Sequence, residues 1–246
     1  AHARIKKLMK EIIAMHGWSG DSNSWHEWFK HFKKHGWDWK NGERGYGNIP
    51  PLHPRWQNKS GEKASGKRAV IGHSLGPHLL EADILAQATD VILLGSFSSF
   101  IPNDQTSRGL LQALKSMKKQ LGTKEESTML NAFLSKACQP DGTTSLFSGP
   151  IQNGLSLQGR EKLKADLDLL IASQDLPKGF PTTARVLVVE GEKDSIVLPS
   201  ARRQLVDDLT EHLQNPPSHW IIPGTGHALL IPPLIKKVCI WLEESP

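Results

Sequence analysis

The chain has only two cysteines in 246 residues, Cys138 and Cys239, far apart and each in a helical pattern. No disulfide framework follows from that. The expectation is two reduced, partly buried thiols in a cytoplasmic protein. Long apolar runs are also missing; none approaches the roughly 20 residues of a membrane span. The basic opening stretch from Ala1 to Lys10 lacks the apolar segment and cleavage site of a signal peptide. No internal repeat or low-complexity tract stands out. No lysine block is long enough to follow a nucleic acid backbone, and the formal net charge is a modest +5. Nucleic acid and membrane are therefore not expected as partners, whereas an acidic protein is compatible. The length fits one α/β domain that buries about 70–75% of its unfolded surface, so the core needs no staple.

Four short apolar runs read as buried parallel strands. They are Ile12-Ile13-Ala14-Met15, Ala69-Val70-Ile71, Val91-Ile92-Leu93-Leu94 and Val186-Leu187-Val188-Val189. Trp37-Asp38-Trp39 and His219-Trp220-Ile221-Ile222 are further candidates. Helical spacing lies between them. Trp25, Trp28, Phe29 and Phe32 follow Ser24, an expected N-cap. Leu75, Leu79, Leu80 and Ile84 suggest one helix, Leu205 to Leu213 another, and Leu234 to Leu242 a last one. Alternation of this kind implies βαβ units and a mostly parallel sheet. Residues 97–181 break the rhythm with three helical stripes and no convincing strand. That divides the chain into a core at 1–96, an inserted helical cap at 97–181, and a core at 182–246. Pro140 to Gly159 and His53 to Gly66 read as loops.

The chemistry begins at Gly72-His73-Ser74-Leu75-Gly76, directly after a strand. A G-x-S-x-G sequence there makes a sharp turn that exposes the serine hydroxyl and aims the next residue's N–H beside it. Gly72 and Gly76 are small enough for the tight backbone, and Pro77 fits the first helical turn. Serine needs a base. Among eleven histidines, His227 stands out in the glycine-rich loop Pro223-Gly224-Thr225-Gly226-His227 after the last strand. His31, His35 and His212 read as solvated helix residues. Asp194, just past a strand, suits the acid that orients the imidazole; Glu190 and Glu192 are rivals. His16-Gly17-Trp18 follows the first strand. Its Trp18 N–H, with that of Leu75, would form the oxyanion hole.

Nucleophile, acid and base in the order Ser74, Asp194, His227 resemble the α/β-hydrolase superfamily along nearly the whole chain. Within it, the chain most resembles the pimeloyl-[acyl-carrier-protein] methyl ester esterases of biotin synthesis, in a cyanobacterial-type variant. That resemblance rests on His16-Gly17-Trp18, the Ser74 turn, Gly226-His227-Ala228, and the cap stretches Leu130-Asn131-Ala132-Phe133-Leu134 and Asp166-Leu167-Asp168-Leu169-Leu170. Family members usually carry Trp where His73 stands and Gly where Pro77 stands. The resemblance implies a serine carboxyl-ester hydrolase with no metal or organic cofactor. Its substrate would be the methyl ester of pimeloyl-acyl carrier protein. A general short-chain carboxylesterase or thioesterase is the alternative, and a catalytically idle hydrolase fold used for binding is a second. From Arg108 to Gln139 there are six basic and two acidic residues. Lys115, Lys118, Lys119 and Lys136 would then be a rim that steers an acidic carrier protein.

Overall fold

The apolar runs form one six-stranded sheet in the order β2-β1-β3-β4-β5-β6, with every neighbouring pair parallel. A computed structural model describes residues 8–57, 66–141 and 149–244. The strands are β1 (Met9–Met15), β2 (Asp38–Asn41), β3 (Gly66–His73), β4 (Asp90–Leu94), β5 (Arg185–Gly191) and β6 (Ser218–Ile222). The helices around them are α1 (His26–Lys34), α2 (Gly76–Leu79), α3 (Ala82–Ala86), α8 (Pro199–His212) and α9 (Pro232–Glu243). Between β4 and β5 come α4 (Ser107–Gln120), α5 (Glu126–Ala137), α6 (Pro150–Asn153) and α7 (Leu157–Ala172). Among the described residues, no helix is long and apolar enough to cross a membrane.

Successive strand residues point to opposite faces of the sheet. Ile12 and Ala14 of β1, with Ile71 and Ile92, pack on one face against Trp28 and Phe32 of α1 and Val238 and Leu242 of α9. Ile13, Val70, Val91 and Val188 pack on the other face against Ile84 and Leu85 of α3 and Leu205 and Leu209 of α8. Being buried on both faces, the central strands read as unbroken apolar runs rather than alternating ones. The strand order reverses between β1 and β3. In an open parallel sheet the crevice at such a switch point, beyond the carboxyl ends of the strands, is where ligands bind. The turns holding Trp18 and Ser74 leave those two strands there.

The inserted helices build a third apolar cluster, in which Leu114, Leu130, Leu163 and Leu167 meet Trp18 and Leu75 of the core. A polar tie fastens this layer as well. Asp166 of α7 is buried and accepts from Arg44 Nε at 2.8 Å, Arg44 Nη2 at 2.9 Å and the Tyr46 hydroxyl at 2.5 Å. A buried carboxylate bound by a bidentate guanidinium and a phenol is fully satisfied, which is the condition for tolerating its desolvation.

Three local expectations are corrected. The helix after Ser74 is broken in two: Leu80 and Glu81 take extended backbone, with ψ 149° and 144°, between α2 and α3. Apolar spacing cannot register such a break, because Ile84 still reaches the core from the second piece. Ser24 is not an N-cap. The chain enters α1 through a 3-10 turn, Ser22–Trp25, capped by Asp21, whose side chain accepts from Asn23 N–H at 3.0 Å. The stretch from Pro140 to Gly159 is not all loop, since it contains α6 and the start of α7; its residues 142–148 lie outside the described ones. Of the loop expected from His53 to Gly66, residues 58–65 likewise lie outside them.

Candidate active site

Ser74 sits one residue past β3 with φ 55°. Among the described residues only Ser19 shares a positive φ without being glycine, at 64°. The left-handed region crowds a Cβ against the backbone, so a serine stays there only when its surroundings dictate the turn. Here they do. Ser74 N–H donates to the Leu94 carbonyl at 2.9 Å, and Ser96 Oγ donates to the Ser74 carbonyl at 2.7 Å, so the end of β4 braces the turn on both sides. A Cβ at Gly76 would lie 2.4 Å from the Met15 carbonyl oxygen, which is why only glycine fits that position. Leu75 immediately precedes α2, so its N–H is one of the donors at a helix start with no intrahelical acceptor.

The second strained turn carries Trp18. Gly20 N–H closes it on the Gly17 carbonyl at 3.2 Å. His16 Nε2 lies 3.1 Å from Glu43 Oε2, and Glu43 also accepts from Ser22 N–H at 2.8 Å and Gly45 N–H at 2.7 Å. Burial alone would raise the Glu43 carboxyl, but the His16 contact and the two backbone donors outweigh it and hold it below its ordinary value. Sequence reading missed Glu43, because nothing in the local pattern marks a residue whose partners lie 21 and 27 positions away.

His227 is buried, and its Nδ1 donates to Asp194 Oδ2 at 2.9 Å. The other Asp194 oxygen accepts from Ile196 N–H at 2.8 Å and Val197 N–H at 3.0 Å. Burial pushes the Asp194 carboxyl up. The neighbouring imidazole and these donors more than reverse that, so it lies below the usual carboxylate value and stays ionised. The rival acids are engaged elsewhere. Glu190 lies 3.5 Å from Arg202 and 3.6 Å from His219, and Glu192 accepts from Gly224 N–H. With Nδ1 committed to Asp194, the lone pair of a neutral His227 is on Nε2.

His73, beside the serine, is a further part of this arrangement. Its Nε2–H donates to the His227 carbonyl at 2.9 Å, and the two rings lie 5.0 Å apart. Burial, then the neighbouring His227, pushes its pKa down to about 3, so it is a neutral donor. Gly95 holds φ 55° at the end of β4, and a Cβ there would lie 3.3 Å from His227 Nδ1.

Trp18, Ser74 and Leu75 open onto one cavity of about 730 Å³ between the core and the inserted helices. Its walls are largely apolar, with Phe100, Met117, Met129 and Phe133 among them. Lys136 lines it, as does Lys124. Lys115 and Lys119 are exposed on α4 outside the cavity lining, and Lys118 pairs with Asp168 of α7 at 2.7 Å. The structure thus gathers Trp18, Ser74, Leu75 and Lys136 around one cavity and joins Asp194 to His227 directly. It does not bring the four lysines together as one patch on that cavity.

No protein-family model matches the chain, and no curated protein matches it in sequence. Solved structures do share its architecture. An esterase from Exiguobacterium antarcticum superposes with a TM-score of 0.68 at 14% identity, over 96% of this chain and 93% of that one. The enol-lactonase from Burkholderia xenovorans gives 0.68 at 16%, over 96% and 92%. A bromoperoxidase from Bacillus anthracis gives 0.68 at 15%, over 96% and 92%. The chain therefore has the α/β-hydrolase fold, a scaffold that hosts many chemistries.

Proposed function

We propose that the chain is a serine carboxyl-ester hydrolase. The observation that carries this reading is the strained Ser74 at the floor of an apolar cavity, on the same sheet edge as a buried His227–Asp194 pair. Ser74 Oγ attacks the ester carbonyl while His227 Nε2 takes its proton. The carbonyl oxygen becomes an oxyanion held by the Trp18 and Leu75 N–H groups. His227 returns the proton to the departing alcohol, and the acyl group stays on Ser74. A water, deprotonated by the same imidazole, then releases the carboxylic acid and restores the serine. Asp194 keeps Nδ1 protonated throughout and offsets the transient imidazolium charge.

The substrate we assign is the methyl ester of pimeloyl-acyl carrier protein. The cavity's apolar walls suit a hydrocarbon chain, and its Lys124 and Lys136 suit an acidic carrier or a phosphate-bearing arm. A general carboxylesterase is the second reading, favoured by the cavity's mostly apolar lining and by the esterases among the structural neighbours. Two measurements test these in turn. A fluorophosphonate should label wild-type chain at Ser74 and fail on Ser74→Ala; no labelling of the wild type would leave an idle fold. Values of kcat/KM for the carrier-bound and the free methyl ester then separate the two substrates. Equal values would favour the general esterase.

A further inference from the structure

Helix α1 carries His31, and His35, four residues on, is the residue that ends it, so both side chains lie on one side of the helix end. Their rings stack with centroids 4.5 Å apart. Helix α9, packed beside α1, brings Cys239 to the same point. One ligand-competent atom from each of the three residues lies within 4.8 Å of the others. The contact between His35 Nδ1 and the His31 carbonyl, at 2.9 Å, requires Nδ1 to be the donor. The lone pair of His35 is therefore on Nε2. A backbone carbonyl that fixes the tautomer in this way is the usual support for a metal-ligating imidazole.

We propose that His31, His35 and Cys239 form a binding site for a divalent cation of the zinc type, bracing the end of α1 against α9. Two imidazole nitrogens and a thiolate suit Zn²⁺ and disfavour Mg²⁺ or Ca²⁺, which take oxygen ligands. His35 is exposed and His31 half-buried, so the cation has a way in and room for a water as fourth ligand. Charges of both signs face the site. Lys10, Lys34, Lys236 and Glu243 lie around it. Burial and then Glu243 raise the Cys239 thiol to about 11, with Lys10 opposing. Binding must therefore displace the thiol proton to the buffer as the sulfur–metal bond forms. Glu243 is paired with Lys10 at 2.9 Å, and Lys10 also donates to the His35 carbonyl at 2.7 Å, so the site's affinity rests on its three ligand atoms rather than on the surrounding charge.

Titration of the purified full chain with Co²⁺, a spectroscopic stand-in for zinc, tests the site. The expected result is tetrahedral d–d absorption with a thiolate-to-cobalt charge-transfer band, together with a higher Tm in Zn²⁺. His35→Ala changes an exposed residue and leaves the fold intact; it should weaken binding by more than about tenfold. Cys239→Ser should abolish the charge-transfer band, and Cys138→Ser should retain it. A wild-type chain without that band would overturn the proposal. So would metal affinity unchanged in the His31→Ala, His35→Ala double variant, or a band that follows Cys138.

Discussion

The indole N–H of Trp18 donates to the Leu163 carbonyl of α7 at 3.0 Å, across 145 positions of sequence. Phe133 of α5 meets the same indole edge-on, with centroids 5.1 Å apart. The residue assigned one of the oxyanion donors is thus held by two inserted helices. Its backbone is in turn held by the turn from Gly17 to Gly20, in which Ser19 takes φ 64°. The inserted layer both borders the cavity and sets the position of the backbone N–H proposed for the oxyanion.

Trp18→Phe keeps the ring against Phe133 and removes only the bond to Leu163. A neutral hydrogen bond contributes about 0.5–1.5 kcal/mol net, so the fold should survive. The expected loss is in kcat, with KM little changed, because the N–H acts on the oxyanion and not on the ground-state ester. Steady-state kinetics on a soluble p-nitrophenyl ester would check it. A pure KM effect would mean that Trp18 only lines the cavity.

Ser74→Ala, His227→Ala and Asp194→Asn should each lower kcat by several orders of magnitude while circular dichroism stays unchanged. The losses should not add, because the three groups act as one unit. Double variants no worse than the worst single variant are the expected outcome. If Asp194→Asn were mild and Glu192→Gln severe, the acid would have to be reassigned.

Ser74→Gly should be more stable than Ser74→Ala. A left-handed φ costs a side-chain-bearing residue roughly 1–2 kcal/mol, of which glycine's greater unfolded-state freedom takes back about half. The two inactive variants differ at Cβ alone, so a comparison of their Tm values isolates the strain at φ 55°. Equal Tm values would mean that the turn is unstrained.

His73 gives a pH dependence of stability with a definite sign. Its folded pKa lies near 3, far below that of an ordinary histidine. Between those values the unfolded chain binds more protons, so stability falls as pH drops below about 6.5. His73→Gln, which keeps a donor for the His227 carbonyl, should lose less stability than wild type between about pH 6 and pH 4. His73→Phe should share that acid resistance but lose kcat, because the His227 loop is no longer pinned. Denaturant titrations across this range would decide it; parallel slopes for wild type and both variants would exclude His73 as the titrating group.

The carrier prediction rests on Lys136. Lys136→Glu should reduce kcat/KM for a carrier-bound ester and barely affect a small free ester, and added salt should shrink the difference. Lys115→Glu and Lys119→Glu, on exposed positions outside the cavity, should show smaller effects of the same kind. Lys118→Glu is a different experiment, because it sets like charges against each other at Asp168 and should loosen α4 from α7. Equal losses of Lys136→Glu on both esters would remove the carrier from the reading.

Much of this molecule is legible in the chain because its signals are local. A strand buried on both faces must be an apolar run, and Val91-Ile92-Leu93-Leu94 could be little else. The Ser74 turn is marked by its own glycines and its place after a strand. His227 and Asp194 each follow a strand, and the parallel sheet brings such ends to one edge.

What depends on folding is every partner named at long range. The break at Leu80 was hidden because Ile84 and Leu85 of the second piece are still buried, while Leu79 and Leu80 stay half-buried against apolar neighbours. Glu43 beneath the Trp18 turn, Asp166 bound to Arg44 and Tyr46, and His73 on the His227 carbonyl have no signature in spacing, since polar pairing needs only that two groups meet. The same holds for Cys239 beside His31 and His35. Sequence alone offered two solvated histidines and a distant thiol, and the packing of α9 on α1 put their ligand atoms within 4.8 Å. Apolar burial repeats with the period of the backbone and can be read along a line, whereas hydrogen-bonded and ligating groups find one another only when the layers close.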